Sequence, residues 1–552
     1  MAAVELPKIL LLVALCFGHT VCESVSRLPH SPFPVSSRPI GDVWVANLTA
    51  TSYDVRMLFQ SLAGVLAQDS PALYLLDEND APGGGPTGRG AGGPTGSMSR
   101  FQLELLPIQP NFSLCNSLAA LVQRLGGGVK GFIEYAMPPP SAADNGSLHV
   151  AISLAGVLGG VLVTDGTTAA WARAAGLTRL LDARTLSLDD AFAQYESQFS
   201  QTILYNQQVL NLVHTTDYAI FTRAFSLYDA ELTMPLSQHA LARLQPISMV
   251  LGWGSELDIV TSASRFGHAV ICSDAVSNLP LFSNFPARTD LPAQPAPSST
   301  CPLDPNKHTV AFMFTDGDSL TWDLGQFASP SQDWFGSPLR GHLPLAWTFQ
   351  PMLAELHPHY LHWVLAQATA NDTFIGGPSG AGYTYLDQYP TAAARARFAE
   401  WTSASMGLAG LTNMINQIQV GVYNSTLEEE TVGQPGPPRA LFVDEYLRLT
   451  LHGSSLVLRD TLVTSRRHCL ATWGDVTPAT LPAILNAATT NASSGAGYSV
   501  IGVEVWSYRM ADIVSIQAQL DPSRVQVASL GDYVACLRQR VFPTPEPPKR
   551  RV

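Results

Sequence analysis

From residue 306 to 541 short apolar runs alternate with helical ones, and this restricts the fold more than any other feature of the chain. HTVAFMFT (308–315), LPLAWTF (343–349), DTFIGG (372–377), GLTNMI (410–415), ALFVDE (440–445), CLATW (469–473), YSVIGVEVW (498–506) and VQVAS (525–529) read as strands. Helical spacing falls between them at 351–368, 391–405, 477–489, 509–520 and 531–540. Seven or eight strands with interleaved helices predict a (β/α) barrel-like C-terminal domain over 306–541, with a doubly wound open sheet as the alternative. In a β/α barrel, chemistry gathers on the loops that follow the carboxyl ends of the strands.

Upstream, residues 41–300 predict an N-terminal α/β region of one or two subdomains. DVWVANL, TSYDVRMLFQSLAGVLAQ and PALYLLDE form a strand–helix–strand signature. GFIEYAM, LHVAISLAG, PISMVLGW and HAVICS read as further strands, and long helices are expected around 188–212 and 217–229. Residues 81–99 are glycine- and proline-rich low complexity, a flexible insertion without the flanks of a dinucleotide loop. A Ser/Pro-rich extended lead-in occupies 23–40, and a Pro-rich stretch at 287–307 is the expected boundary between the two regions. The polar end, 542–552, is expected to be a disordered tail.

The first residues carry a lysine, an apolar run from Ile9 to Phe17 and small residues at Thr20 and Cys22. They predict a signal peptide over 1–22 and a secreted or lumenal protein. The run is too short to span a bilayer, no later segment is apolar enough, and no membrane anchor is expected. Six sequons, at Asn47, Asn111, Asn145, Asn371, Asn424 and Asn491, suggest a glycoprotein on that route. Five cysteines lie beyond residue 22, and the expected disulfides are Cys272 with Cys301 and Cys469 with Cys536. The formal charge of −13 and the absence of a basic run before the last residues argue against a nucleic-acid partner. No CxxC or Cys/His zinc spacing occurs, so neither a metal nor a cofactor is expected.

DGDSLTWD follows the first strand of the C-terminal region and sets Asp316, Asp318 and Asp323 beside Trp322. Clustered carboxylates serve acid–base work or the recognition of sugar hydroxyls, while helix capping is the plainer use of Asp316 or Asp318. GGPSGAGYTYLDQYP (376–390) follows a strand too, in a loop longer than ordinary βα loops of about two to six residues. Its glycines have the reverse of the dinucleotide spacing and no lysine accompanies them, which disfavours a phosphate cradle. Gly380 and Gly382 would let the backbone approach a ligand, Tyr383 and Tyr385 offer faces and hydroxyls to a sugar, and Asp387 adds an acceptor; a packed turn is the plainer alternative. Glu504 lies near a strand end with Trp506 two residues on, a carboxylate beside an indole; Asp444 ends another strand. Asn371 and Asp372 are expected at the surface, and His357, His359 and His362 in a structural role.

DGDSLTWDLG, LPLAWTFQPMLAELHP and NDTFIGGPSGAGYTY, in this order, resemble the GxGYxYP family of putative glycoside hydrolases. The name motif matches at Gly380, Gly382, Tyr383 and Tyr385, and Leu386 stands at the proline position. DYAIFTRAFSLYDAEL, PISMVLGWGSELDIV and SYRMADIVSIQAQLDPSRVQVASLGDYVACL extend the similarity over roughly 41–540. The resemblance implies an N-terminal α/β region, a barrel-like catalytic domain and a carbohydrate substrate. The expected activity is hydrolysis of a glycosidic bond by two carboxylates, drawn from Asp316, Asp318, Glu504 and Asp387. Trp322, Asp323, Gly380, Gly382, Tyr383, Tyr385 and Trp506 are expected to bind the sugar. A non-catalytic glycan-binding protein and a metal-dependent carbohydrate deacetylase are the alternatives.

Overall fold

The computed structural model describes residues 28–29, 31–77, 98–112, 117–139, 145–294, 300–329, 333–419, 425–436, 438–445 and 451–543, without the side chains of 425–428 and 445. The expected signal peptide, the insertion up to residue 97, Cys115, Asn424 and the tail from 544 onward lie outside them.

The C-terminal sheet has ten strands. His308–Phe314, Leu345–Phe349, Asp372–Gly376, Asn413–Ile418 and Ala440–Glu445 lie side by side in chain order, all parallel. Thr461–Ser465 extends that end and carries the edge strand Ser455–Leu458 antiparallel to it. On the other side of His308–Phe314 lie Tyr498–Val503 and then His468–Leu470, while Val525–Val527 pairs beside its start. Thr461–Ser465 and His468–Leu470 therefore lie toward opposite ends of the sheet, yet only Arg466 and Arg467 separate them in sequence. Two residues span about 7 Å, so the sheet must curl to bring its ends together. No ladder joins those ends among the described residues; the fold is of the expected mixed α/β class, and its C-terminal sheet is a curled half barrel.

Three smaller parallel sheets precede it. Trp44–Asn47 pairs with Leu73–Leu76; Gly131–Glu134 lies between Gly160–Val163 and Arg179–Asp182. Ile203–Asn206 and Met249–Gly252 sit between Phe225–Leu227 and Ala269–Cys272. The run LHVAISLAG, expected as a strand, belongs to the helix Gly146–Leu158. Its residues from Leu148 to Gly156 are all buried, so no polar face marks the helical period. Asn145 caps its start and Gly159, at φ 72°, ends it. The helix expected at 188–212 stops at Tyr195, and the strand Ile203–Asn206 follows.

One apolar core runs through both parts of the molecule. Phe282 stacks on His357 with ring centroids 3.8 Å apart, and the Gln102 amide donates to the Leu324 carbonyl at 2.6 Å. Among the described residues the disulfide joins Cys301 to Cys536, not the expected pairs; Cys272 and Cys469 are free and buried. Cys536 is carried by the helix Leu530–Val541, whose Gln539 also accepts from the backbone N–H of Cys301 at 2.9 Å. Proximity in sequence misled here because the bond spans 235 residues. Among the described residues no helix is long and apolar enough to cross a membrane.

Candidate active site

Parallel strands that end at the same edge of a sheet leave a concave gap beyond their carboxyl ends. Here the large sheet and the four-stranded sheet present those ends to each other across a cavity of about 590 Å³. Its wall holds Thr315, Asp316, Asp318, Pro378, Gln417, Asp444, Trp473, Glu504 and Trp506 from one side, and Trp253, Glu256, Cys272 and Asp274 from the other.

Asp316 and Asp318 flank Gly317, which must be glycine: a Cβ there would lie 2.3 Å from the backbone carbon of Thr348. The Gly317 N–H also donates to the Thr348 hydroxyl at 2.9 Å. This anchorage presents both carboxyls to the cavity. Asp316, at φ 81°, accepts from the Trp506 indole N–H. Asp318 is 8% exposed, and its donor is its own amide. Glu504 accepts from the Trp506 backbone N–H at 3.0 Å and from the Ser507 hydroxyl, which fixes both of its oxygens. Glu256 opens the helix Glu256–Arg265 and accepts from the Tyr383 hydroxyl at 2.8 Å.

These carboxyls crowd one another in a poorly hydrated space. Burial, with Glu256 next, pushes Asp318 up to about 8. Burial and then Asp318, Glu504 and Glu256 hold Asp316 well above the carboxylate range, against the pull of the Trp506 hydrogen bond. Burial also raises Glu256, opposed by Tyr383. The cation in the wall is Arg466, and its charge is committed: its Nε lies 2.5 Å from Asp444, its Nη1 donates to Cys469 Sγ at 3.2 Å, and it covers the Trp473 ring at 5.4 Å. Asp274 accepts from the Thr321 hydroxyl at 2.6 Å.

The glycine–tyrosine loop has a different task from the one its composition suggests. A Cβ on Gly380, at φ 88°, would lie 2.3 Å from Thr402, and one on Gly382 would lie 2.9 Å from the Ala269 side chain. These glycines admit neighbouring protein, not a ligand. Tyr383 pairs with Val270 in both directions at 2.8 Å, so the loop adds a bridge to the four-stranded sheet. The Tyr385 N–H donates to Ser264 at 3.0 Å and its ring is fully buried; neither it nor Gly380 or Gly382 lines the cavity. Tyr383 does reach the cavity and joins Tyr385 through their hydroxyls at 3.3 Å. The substituted position, Leu386, packs in the core.

Other expected residues also lie elsewhere. Trp322 is buried edge-on against Phe327 and Trp334, and buried Asp323 accepts from the Gln350 N–H at 3.1 Å. Asp387 sits in the turn Leu386–Gln388 and accepts from the Gln419 N–H at 3.3 Å, outside the cavity wall. Asp372 is buried instead of superficial, accepting from Trp347 Nε1 at 2.8 Å and pairing with Arg340 at 2.7 Å. His357 lies in the core and His359 contacts Arg288 at 3.3 Å, away from the cavity. Glu256, Trp253, Trp473, Asp274 and Arg466 were not expected at the site. Glu256 had a visible signal: it lies three residues beyond the end of the apolar strand run PISMVLGW, the position at which chemistry gathers. Of the described sequons, Asn491 is exposed and Asn47, Asn111, Asn145 and Asn371 are half-buried.

The fold and cavity define an α/β protein with a carboxylate-walled cleft between two sheets. Two family models match the chain: "GxGYxYP putative glycoside hydrolase C-terminal domain" over residues 306–538 and "GxGYxYP third domain" over 201–284. The chain belongs to the GxGYxYP family. It is similar in fold to the crystal structure of a "putative hydrolase" from Bacteroides thetaiotaomicron VPI-5482, with 22% identity, a TM-score of 0.79, and coverage of 94% of this chain and 98% of that one. No curated protein matches.

Proposed function

We propose that the protein hydrolyses a glycosidic bond in the cleft between the two sheets. One observation carries this reading. Asp316, Asp318, Glu256 and Glu504, from three distant stretches of chain, line one cavity together with the half-exposed indoles of Trp473 and Trp506. Indole faces stack on the C–H faces of sugar rings, and a carboxyl in a poorly hydrated pocket keeps its proton near neutrality.

In this reading Asp318, with its affinity for protons pushed up to about 8, is the acid. It gives its proton to the glycosidic oxygen as the bond to the anomeric carbon breaks. Glu504, held by Trp506 and Ser507, is the partner carboxylate. Water supplies the hydroxyl that ends on the anomeric carbon and the proton that restores Asp318. Tyr383 positions Glu256, which keeps Asp318 protonated. The apolar stretch Ile9–Phe17 and the Cys301–Cys536 disulfide support a secreted or lumenal setting.

The test is the release of reducing ends from neutral, amino and acidic oligosaccharides by the wild-type chain, Asp318→Asn and Glu504→Gln. Either substitution should lower turnover roughly 10²–10⁴-fold without lowering the melting temperature. Wild-type turnover in Asp318→Asn, or no turnover of any of these saccharides by the wild type, would overturn the reading.

A further inference from the structure

The cleft carries an indole on each side of its reacting groups. Leu470, Val503 and Phe314 sit level on three adjacent parallel strands, so the loops beyond them stand side by side, about 4.8 Å apart. Trp473 comes from the first of these loops, Glu504 and Trp506 from the second, and Asp316 and Asp318 from the third. Trp253 follows Met249–Gly252 and enters the cavity from the opposite sheet. Both outer indoles are held in place. The Thr472 N–H, next to Trp473, donates to the Ser507 hydroxyl oxygen at 3.1 Å, and that hydroxyl donates to Glu504. Arg466 covers the Trp473 ring at 5.4 Å, yet Trp473 is 43% exposed and lines the cavity. Across the gap the half-buried Trp253 ring lies 6.4 Å from that of Tyr383, at an interplanar angle of 24°, and Tyr383 donates to Glu256 at 2.8 Å. The Trp253 N–H donates to the Asn206 carbonyl at 3.0 Å, which fixes the turn that delivers the ring. Rigid indoles give a ligand a large contact area at little cost in ordering.

We propose that the substrate is an oligosaccharide chain laid across the cleft, with one sugar ring on Trp473 and another on Trp253. The bond to be cut lies between these two indoles, so both of its sides are sugar. A single sugar carrying an alkyl group would leave one platform empty and is a poor substrate. The cavity of about 590 Å³ falls within the range of about 300–1,000 Å³ that encloses ligands of several rings. Each platform grips a ring that flanks the bond, and that grip is the same before and during cleavage. Loss of an indole therefore weakens binding more than it slows the chemical step. The inference rests on the proposed hydrolysis and adds the length of the substrate and the two positions that read it.

Steady-state kinetics of the full chain would compare tetrasaccharides of glucose, glucosamine, N-acetylglucosamine and galacturonate with the methyl glycoside of each same sugar. The tetrasaccharide that is cleaved should show a kcat/KM about tenfold or more above its methyl glycoside, as one stacked ring implies. Trp473→Ala and Trp253→Ala should each raise KM for that tetrasaccharide about tenfold while kcat changes far less. Trp473→Leu and Trp253→Leu keep apolar bulk without an aromatic face, and serve if an alanine variant melts early. A methyl glycoside cleaved as well as its tetrasaccharide, or an unchanged KM in either indole variant, would overturn the oligosaccharide inference alone. Failure to cleave any of the tetrasaccharides or methyl glycosides would overturn the proposed hydrolysis with it.

Discussion

Two loops of the large sheet carry sequences that look equally chemical, and the structure uses them in opposite ways. DGD, after His308–Phe314, turns its carboxyls into the cavity. GAGYTY, after Asp372–Gly376, turns into the seam between sheets, where it pairs with Val270 and fills the core. Glycine and tyrosine suit close protein packing as well as a sugar ring, so their letters do not decide between the two. The neighbouring atoms do: Thr402 lies where a Cβ on Gly380 would go. The acidic loop performs the proposed chemistry, and the aromatic loop holds the second sheet, with Glu256, against it.

Several substitutions would break or sharpen this contrast, and the largest effect belongs to the acidic wall. Glu504→Gln should remove turnover by roughly 10²–10⁴-fold in reducing-end assays while its melting curve overlays the wild type. Next in size, replacing Cys301 and Cys536 by serine should cost roughly 2–5 kcal/mol in denaturant unfolding, because the bond closes a 235-residue span. On the aromatic loop, Gly380→Ala meets Thr402 at 2.3 Å with φ at 88° and should cost roughly 2–4 kcal/mol, read as a lower melting temperature. Tyr383→Phe is milder: it deletes the phenol donor to Glu256 and should raise the pH at which that carboxyl loses its proton, followed by carboxyl-selective NMR titration.

A further effect is a pH trend in stability. The folded state raises Asp318 from the ordinary value of 3.8 to about 8, so it favours the protonated form. That advantage is complete below the unfolded value and disappears as pH rises through the folded one. The wild-type melting temperature should therefore fall relative to Asp318→Asn between about pH 4 and 8. Parallel curves across that range would contradict the burial of Asp318.

Much of the architecture was legible in the sequence. Runs such as HTVAFMF and ALFVDE are strands because a parallel sheet covered on both faces needs continuous apolar segments. Curling without closure was not legible, since it depends on Thr461–Ser465 and His468–Leu470 sharing no ladder among the described residues. LHVAISLAG was misread because burial on all sides erases the helical period. At the site, Asp316, Asp318, Glu504 and Trp506 follow strand ends and were visible from that rule. Glu256 obeys the same rule on another sheet, but its meeting with Asp318 is a long-range contact that no local pattern encodes. Trp322 and Asp323 were misplaced because the π-helical turn Trp322–Gln326 carries them into the core.

The central claim is a division of labour, and the most direct test measures turnover and melting temperature together for Asp318→Asn and Gly380→Ala. The account predicts that Asp318→Asn melts no earlier than the wild type and loses turnover roughly 10²–10⁴-fold, while Gly380→Ala melts earlier and keeps wild-type turnover per folded molecule. An Asp318→Asn variant that still cleaves, or a Gly380→Ala variant that stays stable but loses turnover, would contradict it.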